Sequence, residues 1–336
     1  MDKKEWDQRA LIKLSGAYWE VCTLHAGVVL DVFTQIGDMN LSAEQLAEKI
    51  GADSRAAAML LDALTAMGLL IKGSGSYRNT DYALRYLSRS SDQYAGFIIQ
   101  HHHHLMASWQ RLSEAVMTGK PVRKRAAFDD PSVRESFLMG MFNMAMTVAP
   151  EIAARIDLTG RRRLLDLGGG PGTYAIHFCR HNPGLSAVVF DLPASRSIAE
   201  STIERFSLKD RITFTGGDYI RAGLPQGFDV VWLSQILHSE GPEACRLIIK
   251  KAIAALEPGG LIGIHEFILN DDESGPLFPS LFSLNMLLGT PSGRAYPEQA
   301  LKSMLLEAGA GAIQRIPLDS QCDSGVIIGI KQGHSG

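Results

Sequence analysis

The chain has 336 residues, a formal net charge of −3, 46% apolar and 21% charged side chains. That is enough apolar material for two domains, with no basic field for nucleic acid. Cys22, Cys179, Cys245 and Cys322 are scattered without a Cys-x-x-Cys pair, which argues against a zinc knuckle or disulfide framework. No window reads as an uninterrupted membrane span, and no apolar stretch resembling a signal peptide follows Met1–Glu5, so the expectation is a cytoplasmic protein without membrane or nucleic-acid partners.

Residues 1–93 read as a winged-helix domain. Ser42 with Gln45 forms a capping box, Asp53 or Ser54 caps the helix starting near Ala56, and Gly68 ends it. Leu69–Lys72 and Tyr77–Thr80 flank a Gly-Ser-Gly-Ser turn and read as a small hairpin. The long helix before it is rich in Ala, Leu and Met, and only Arg55 could reach a phosphate, so packing is expected rather than DNA recognition. The apolar N-terminal helices suggest a homodimer.

Residues 94–157 read as a helical region. Met141 and Met144 lie one turn apart with Phe137 a turn earlier, a stripe that suits either core packing or an irregular apolar pocket. His101–His104 is an internal run in which only His101 and His104 share a helical face. Without third and fourth ligands no metal site is expected.

From residue 158 to 333 strands alternate with helices: Arg163–Leu167, Ala187–Asp191, Ile212–Thr215, Val230–Leu233 and Leu261–Phe267. The alternation implies an α/β fold with a parallel sheet covered by helices on both faces, and Ala312–Arg315 and Val326–Ile330 add a final pair at its edge. Ligands of such sheets bind at the carboxyl ends of the strands. There the chain has Leu-Leu-Asp-Leu-Gly-Gly-Gly-Pro-Gly at 164–172, a turn stripped of side chains and followed by a helix start whose free N–H groups face a ligand. Asp191, followed by Leu192, ends the next strand, where a carboxylate can accept ribose hydroxyls.

Gly168, Gly170 and Gly172 fall as Gly-x-Gly-x-Gly, with Thr173 where a dinucleotide fingerprint needs its third glycine, so a nicotinamide-dependent oxidoreductase is the weaker reading. Asp166 beside the turn suits a ligand carrying an ammonium and a sulfonium, which points to S-adenosylmethionine. Asp218 can accept an adenine amine and Tyr219 cover its ring; the plain alternative is a turn with a helix cap. His238 lies where the fourth strand hands over to a helix, and Glu266 one strand away can orient its imidazole for proton removal.

These segments, with Phe190-Asp191-Leu192-Pro193, Gly216-Gly217-Asp218, Ile236-Leu237-His238 and Leu256-Glu-Pro-Gly-Gly-Leu261, resemble the small-molecule O-methyltransferases of the caffeate, hydroxyindole and bacterial polyketide-tailoring type. The resemblance spans nearly the whole chain. It implies a Rossmann-like seven-stranded sheet at 158–333, a winged-helix dimerisation domain at 1–93, and S-adenosylmethionine as cofactor. It places Gly168 and Gly170 at the methionyl part, Asp191 at the ribose, Asp218 and Tyr219 at the adenine, and Ser234 at the cofactor's rim. His238 is then the base for a hydroxyl on an aromatic or polyketide-like acceptor. Met141, Phe142, Asn285 and Met286 match acceptor-lining positions, and the resemblance brings His104 near the same pocket. Two positions depart from the family: Ser239-Glu240 follows His238 in place of aspartate and tryptophan, and Ala295 stands where a second glutamate flanks the histidine. Relatives with this fold also methylate carbon or nitrogen, or use the cofactor without transferring its methyl.

Overall fold

Residues 6–123, 130–316, 318 and 322–333 are described by a computed structural model. They divide into two units, Met1–Leu105 and Met106–Gly336.

The N-terminal unit holds α1 (Gln8–Gly16), α2 (Tyr18–Val29), α3 (Val32–Ile36), α4 (Ala43–Ile50), α5 (Ser54–Ala66), β1 (Leu70–Gly73), β2 (Ser76–Asn79), α6 (Asp81–Leu87) and the start of α7 (Gly96–Trp109). Local chemistry sets these boundaries. Ser42 and Gln45 close the capping box of α4, and Asp53 accepts the Ala56 N–H at 2.8 Å to start α5. The β1–β2 turn puts Ser74 and Gly75 at positive φ, as a tight hairpin requires. Phe33, Ile36, Leu46, Leu61, Leu64 and Leu70 fill one core. Asn79 Nδ2 donates to the Phe33 and Gly37 carbonyls and so ties the hairpin to α3. Helix α1, in contrast, buries none of its residues.

The second unit continues with α8 (Leu112–Thr118), α9 (Pro131–Arg155), β3 (Arg163–Leu167), α10 (Thr173–His181), β4 (Ser186–Asp191), α11 (Arg196–Arg205), β5 (Ile212–Gly216), β6 (Phe228–Ser234), α12 (Pro242–Ala255), β7 (Leu256–Leu269), α13 (Leu277–Gly289), β8 (Tyr296–Pro297), α14 (Glu298–Glu307), β9 (Ala310–Ile316) and β10 (Ser324–Lys331). The strand order is β5-β4-β3-β6-β7-β10-β9, the seven-stranded arrangement expected, with the two-residue β8 added beside β7. Along β3 the two-residue period decides the layers: Leu165 and Leu167 join the core under α12 and α14, whereas Leu164 joins the core under α9, α10 and α11.

The expected final pair stands at one edge, β9 outermost and β10 between it and β7, but β10 runs antiparallel to both neighbours, so the sheet is mixed rather than wholly parallel; the short β9–β10 connection allows only the antiparallel pairing of those two. The expectation of no membrane-length window also needs correction. Helix α9, at 25 residues, is long and apolar enough to cross a membrane by length and composition alone. Its Ala149, Ile152 and Ala153 are buried with α10 and the sheet, so this end of the helix packs as core.

Candidate active site

The bend after β3 is held by its own backbone. Gly168 N–H donates to the Phe190 carbonyl at 2.7 Å and Gly172 N–H to the Gly169 carbonyl at 2.8 Å. Gly168 has φ +69°, and a Cβ there would fall 2.6 Å from Ile236 Cγ2, so no other residue fits without moving the β6 loop. Beneath the bend Asp166 is 1% exposed. Its Oδ2 accepts the Ala175 N–H at 3.2 Å, and its Oδ1 has no partner among the described residues. Burial, opposed by that N–H and aided by the charge of Asp191, pushes the Asp166 carboxyl up to about 7. An orphaned acceptor under a bare backbone turn fits a donor-bearing, cationic ligand.

Asp191 faces the bend from β4. Oδ2 accepts Gly170 N–H at 2.8 Å, while Oδ1 accepts Leu192 N–H at 2.6 Å and Ser195 Oγ–H at 3.0 Å. Burial raises its carboxyl pKa against those three bonds. One lone pair on Oδ2 therefore stays open for a ribose hydroxyl, and a second hydroxyl requires Ser195 to turn away. After β5, Asp218 holds a turn, with no helix there to cap: Oδ1 accepts Ile220 N–H at 2.9 Å, and Oδ2 lies 3.6 Å from Arg221. Tyr219 packs partly buried beside the core. Lys251 of α12, which sequence reading passed over, donates Nζ to the carbonyls of Tyr219, Ile220 and Ala222 and fixes this loop.

At the end of β6, Ser234 Oγ and Tyr174 OH each lie 3.0 Å from Nδ1 of His265, whose position the parallel register sets beside Ser234. Burial drops the His265 pKa to about 4, against the pull of Glu266, so the ring is neutral. Gln235 follows at φ +59°, its N–H on the His265 carbonyl and its Oε1 buried without a partner among the described residues. This left-handed residue turns the chain so that the 3-10 turn Leu237–Ser239 faces Glu266.

There the expected pair forms. His238 Nδ1 lies 2.8 Å from Glu266 Oε2, and Glu266 Oε1 accepts the N–H groups of Leu237 at 2.8 Å and His238 at 3.3 Å. The carboxylate thus locks both the ring and the backbone that carries it. With Nδ1–H donated to Glu266, Nε2 is the free basic nitrogen, bonded to no described residue. Phe282 packs edge-on to the imidazole at 4.7 Å, and Phe267 and Phe278 extend the aromatic wall. Glu266 is the one carboxylate bonded to His238 among the described residues; at the second departure, Ala295 is buried and its N–H donates to Ser283 Oγ.

The residues expected at the acceptor divide. Asn285 and Met286 lie on α13 next to Phe282, and Asn285 Oδ1 receives Arg123 Nη1 at 3.4 Å. Phe142 does not join this cluster: its ring packs on Phe206 at 6.2 Å, with Arg205 over its face. Met141 is half-buried one turn after Leu138, the side chain that approaches the position of a Cβ on Gly170 at 3.7 Å. Leu138 was legible only as one more residue of the apolar stripe. His104 is an exposed residue of α7 in the N-terminal unit; its ring lies 6.0 Å from that of His103, which in turn meets His25 at 5.6 Å.

Comparison with known proteins agrees with this geometry. Residues 109–310 match the O-methyltransferase domain family and residues 12–89 the O-methyltransferase dimerisation domain family. The chain is 35% identical over 327 residues to 3-hydroxy-5-methyl-1-naphthoate 3-O-methyltransferase of Streptomyces sahachiroi, covering 96% of this chain and 94% of the relative. It is 33% identical to the tetracenomycin polyketide synthesis 8-O-methyl transferase of Streptomyces glaucescens, over 89% of this chain and 90% of the relative. The structure of human N-acetylserotonin methyltransferase in complex with S-adenosylmethionine superposes with a TM-score of 0.87 at 25% identity, covering 98% of this chain and all of that one. A glycine bend over an orphaned carboxylate, and a histidine braced one strand away, are thus parts of a known scaffold: the chain belongs to the O-methyltransferase family and is an S-adenosylmethionine-dependent methyltransferase.

Proposed function

We propose that the protein methylates a hydroxyl of an aromatic or polyketide-like small molecule, with His238 as general base and Glu266 as its positioning residue, and that it works as a homodimer. The 2.8 Å contact between His238 Nδ1 and Glu266 Oε2 carries this reading, because it leaves Nε2 as the nitrogen that can take a proton. Bound S-adenosylmethionine supplies a methyl group already activated on sulfonium. The protein's tasks are then alignment and proton removal. His238 Nε2 accepts the hydroxyl proton, and Glu266, its other oxygen held by two backbone N–H groups, stabilises the imidazolium that results. Phe267, Phe278 and Phe282 give the acceptor ring an apolar aromatic wall and keep water from the base.

In this reading Asp166, Gly168 and Gly170 hold the methionyl end, Asp191 and Leu192 the ribose, Asp218 and Tyr219 the adenine, and Ser234 the rim between cofactor and acceptor. Met141, Asn285 and Met286 line the acceptor. The names of the naphthoate and tetracenomycin relatives support an aromatic acceptor. The exposed Leu11, Ile12, Leu14, Tyr18 and Trp19 of α1 and α2 support a subunit contact, as does the dimerisation-domain match. His238→Ala is expected to lower turnover of a phenolic acceptor by about a hundredfold or more while S-adenosylhomocysteine still binds in calorimetry. Unchanged turnover overturns the base assignment.

A further inference from the structure

Arg123 carries a charge into a half-buried position with no carboxylate beside it among the described residues. Its placement is enforced. The N–H groups of Val122 and Arg123 both donate to the Leu288 carbonyl, at 3.1 and 2.9 Å, and pin the segment to the last turn of α13. The guanidinium lies against Gly289, where a Cβ would fall 2.4 Å from Nη2 and 3.0 Å from Cζ and Nε, so that a side chain at 289 would displace it from this position.

Its own hydrogen bonds are few. Nη1 reaches Ser108 Oγ at 3.3 Å and Asn285 Oδ1 at 3.4 Å, both long and both to neutral groups. Nε and Nη2 have no acceptor among the described residues, and these two form the edge of the fork suited to a carboxylate. The helix end does not satisfy them either: the Met286 carbonyl is taken by the N–H and hydroxyl of Thr290, and the Leu288 carbonyl by residues 122 and 123. Burial accordingly depresses the Arg123 pKa.

Phe282, Asn285 and Gly289 are spaced i, i+3, i+7 along one face of α13. Phe282 touches His238 at one end and Gly289 touches Arg123 at the other. Seven residues of helix separate those ends by roughly 10 Å.

We propose that Arg123 is the anion-binding residue of the acceptor site, and that the acceptor is an aromatic hydroxy acid whose carboxylate pairs with Arg123 while its hydroxyl meets His238. This rests on the methyl-transfer reading above. A hydroxyl and a carboxylate two ring positions apart, with a hydrogen bond of about 2.8 Å at each end, have a length of the same order as that stretch of helix. A neutral phenol leaves the guanidinium uncompensated.

Calorimetric titration of 3-hydroxy-1-naphthoic acid and of its methyl ester into the full-length protein loaded with S-adenosylhomocysteine tests the assignment. The acid is expected to bind about thirtyfold more tightly than the ester. Arg123→Gln should bring the acid to the affinity of the ester, and Arg123→Lys should restore part of the difference, with S-adenosylhomocysteine titration as the check on folding. Equal affinities in the parent protein, equal losses on both compounds in Arg123→Gln, or binding of neither compound overturns the proposal. Methylation assays on the same pair separate it from the reading it rests on. Acid bound through Arg123 but not methylated counts against methyl transfer, whereas methylation without Arg123-dependent discrimination counts against the anion site.

Discussion

Asp166 is a carboxyl group sealed under a glycine turn with one oxygen unpartnered. Burial raises its folded pKa from 3.8 to about 7, so the native protein keeps a proton that the unfolded chain releases. Stability of the ligand-free protein therefore falls, through this group, as pH rises across that window, and is level above it. Asp166→Asn cannot titrate and should gain stability relative to the parent between about pH 5 and about pH 8, read from urea midpoints. Cofactor binding has the opposite sign. A cationic ligand favours the ionised carboxylate, so S-adenosylmethionine should bind the parent protein more tightly at the higher pH and lose that dependence in Asp166→Asn. A pH-independent difference in midpoint between the two proteins would contradict the buried titration.

At the scale of elements, the rim is held together by groups that bind no ligand themselves. Lys251 on α12 joins the carbonyls of Tyr219, Ile220 and Ala222 at 2.5, 3.1 and 2.5 Å, so one ammonium organises the loop that carries the adenine candidates. Lys251→Met keeps the stem and removes the donor. It is expected to weaken S-adenosylhomocysteine binding by about tenfold and to speed amide exchange in residues 218–222. Unaltered exchange there would show that the carbonyls are satisfied by water. The β6–β7 pairing works in the same way: register sets Ser234 against His265 and, through the left-handed Gln235, swings Leu237 and His238 onto Glu266.

For the molecule as a whole, the exposed face of α1 and α2 matters most. Ile12 is 66% and Trp19 69% exposed, and Leu11, Leu14 and Tyr18 lie exposed beside them in sequence. They are the contact face of the homodimer proposed above. Light scattering at micromolar concentration should give twice the chain mass for the parent protein, and the combined Ile12→Asp and Trp19→Asp substitutions should give a single chain with its far-ultraviolet spectrum unchanged. A monomeric parent protein, or a double variant that stays dimeric, removes this face as the contact.

The sequence by itself determined what depends on short-range order: strand boundaries from apolar runs, the caps at Ser42 and Asp53, the glycine bend, and the pairing of His238 with Glu266. Each is set within a few residues, or by the rule that strand ends share one rim. Only the tertiary structure decided the rest. The antiparallel insertion of β10, the turning of Phe142 toward Phe206 and the placing of Arg123 against Gly289 each join residues far apart in the chain. Periodicity says which face of an element is apolar; what that face meets follows from packing and register across the whole domain.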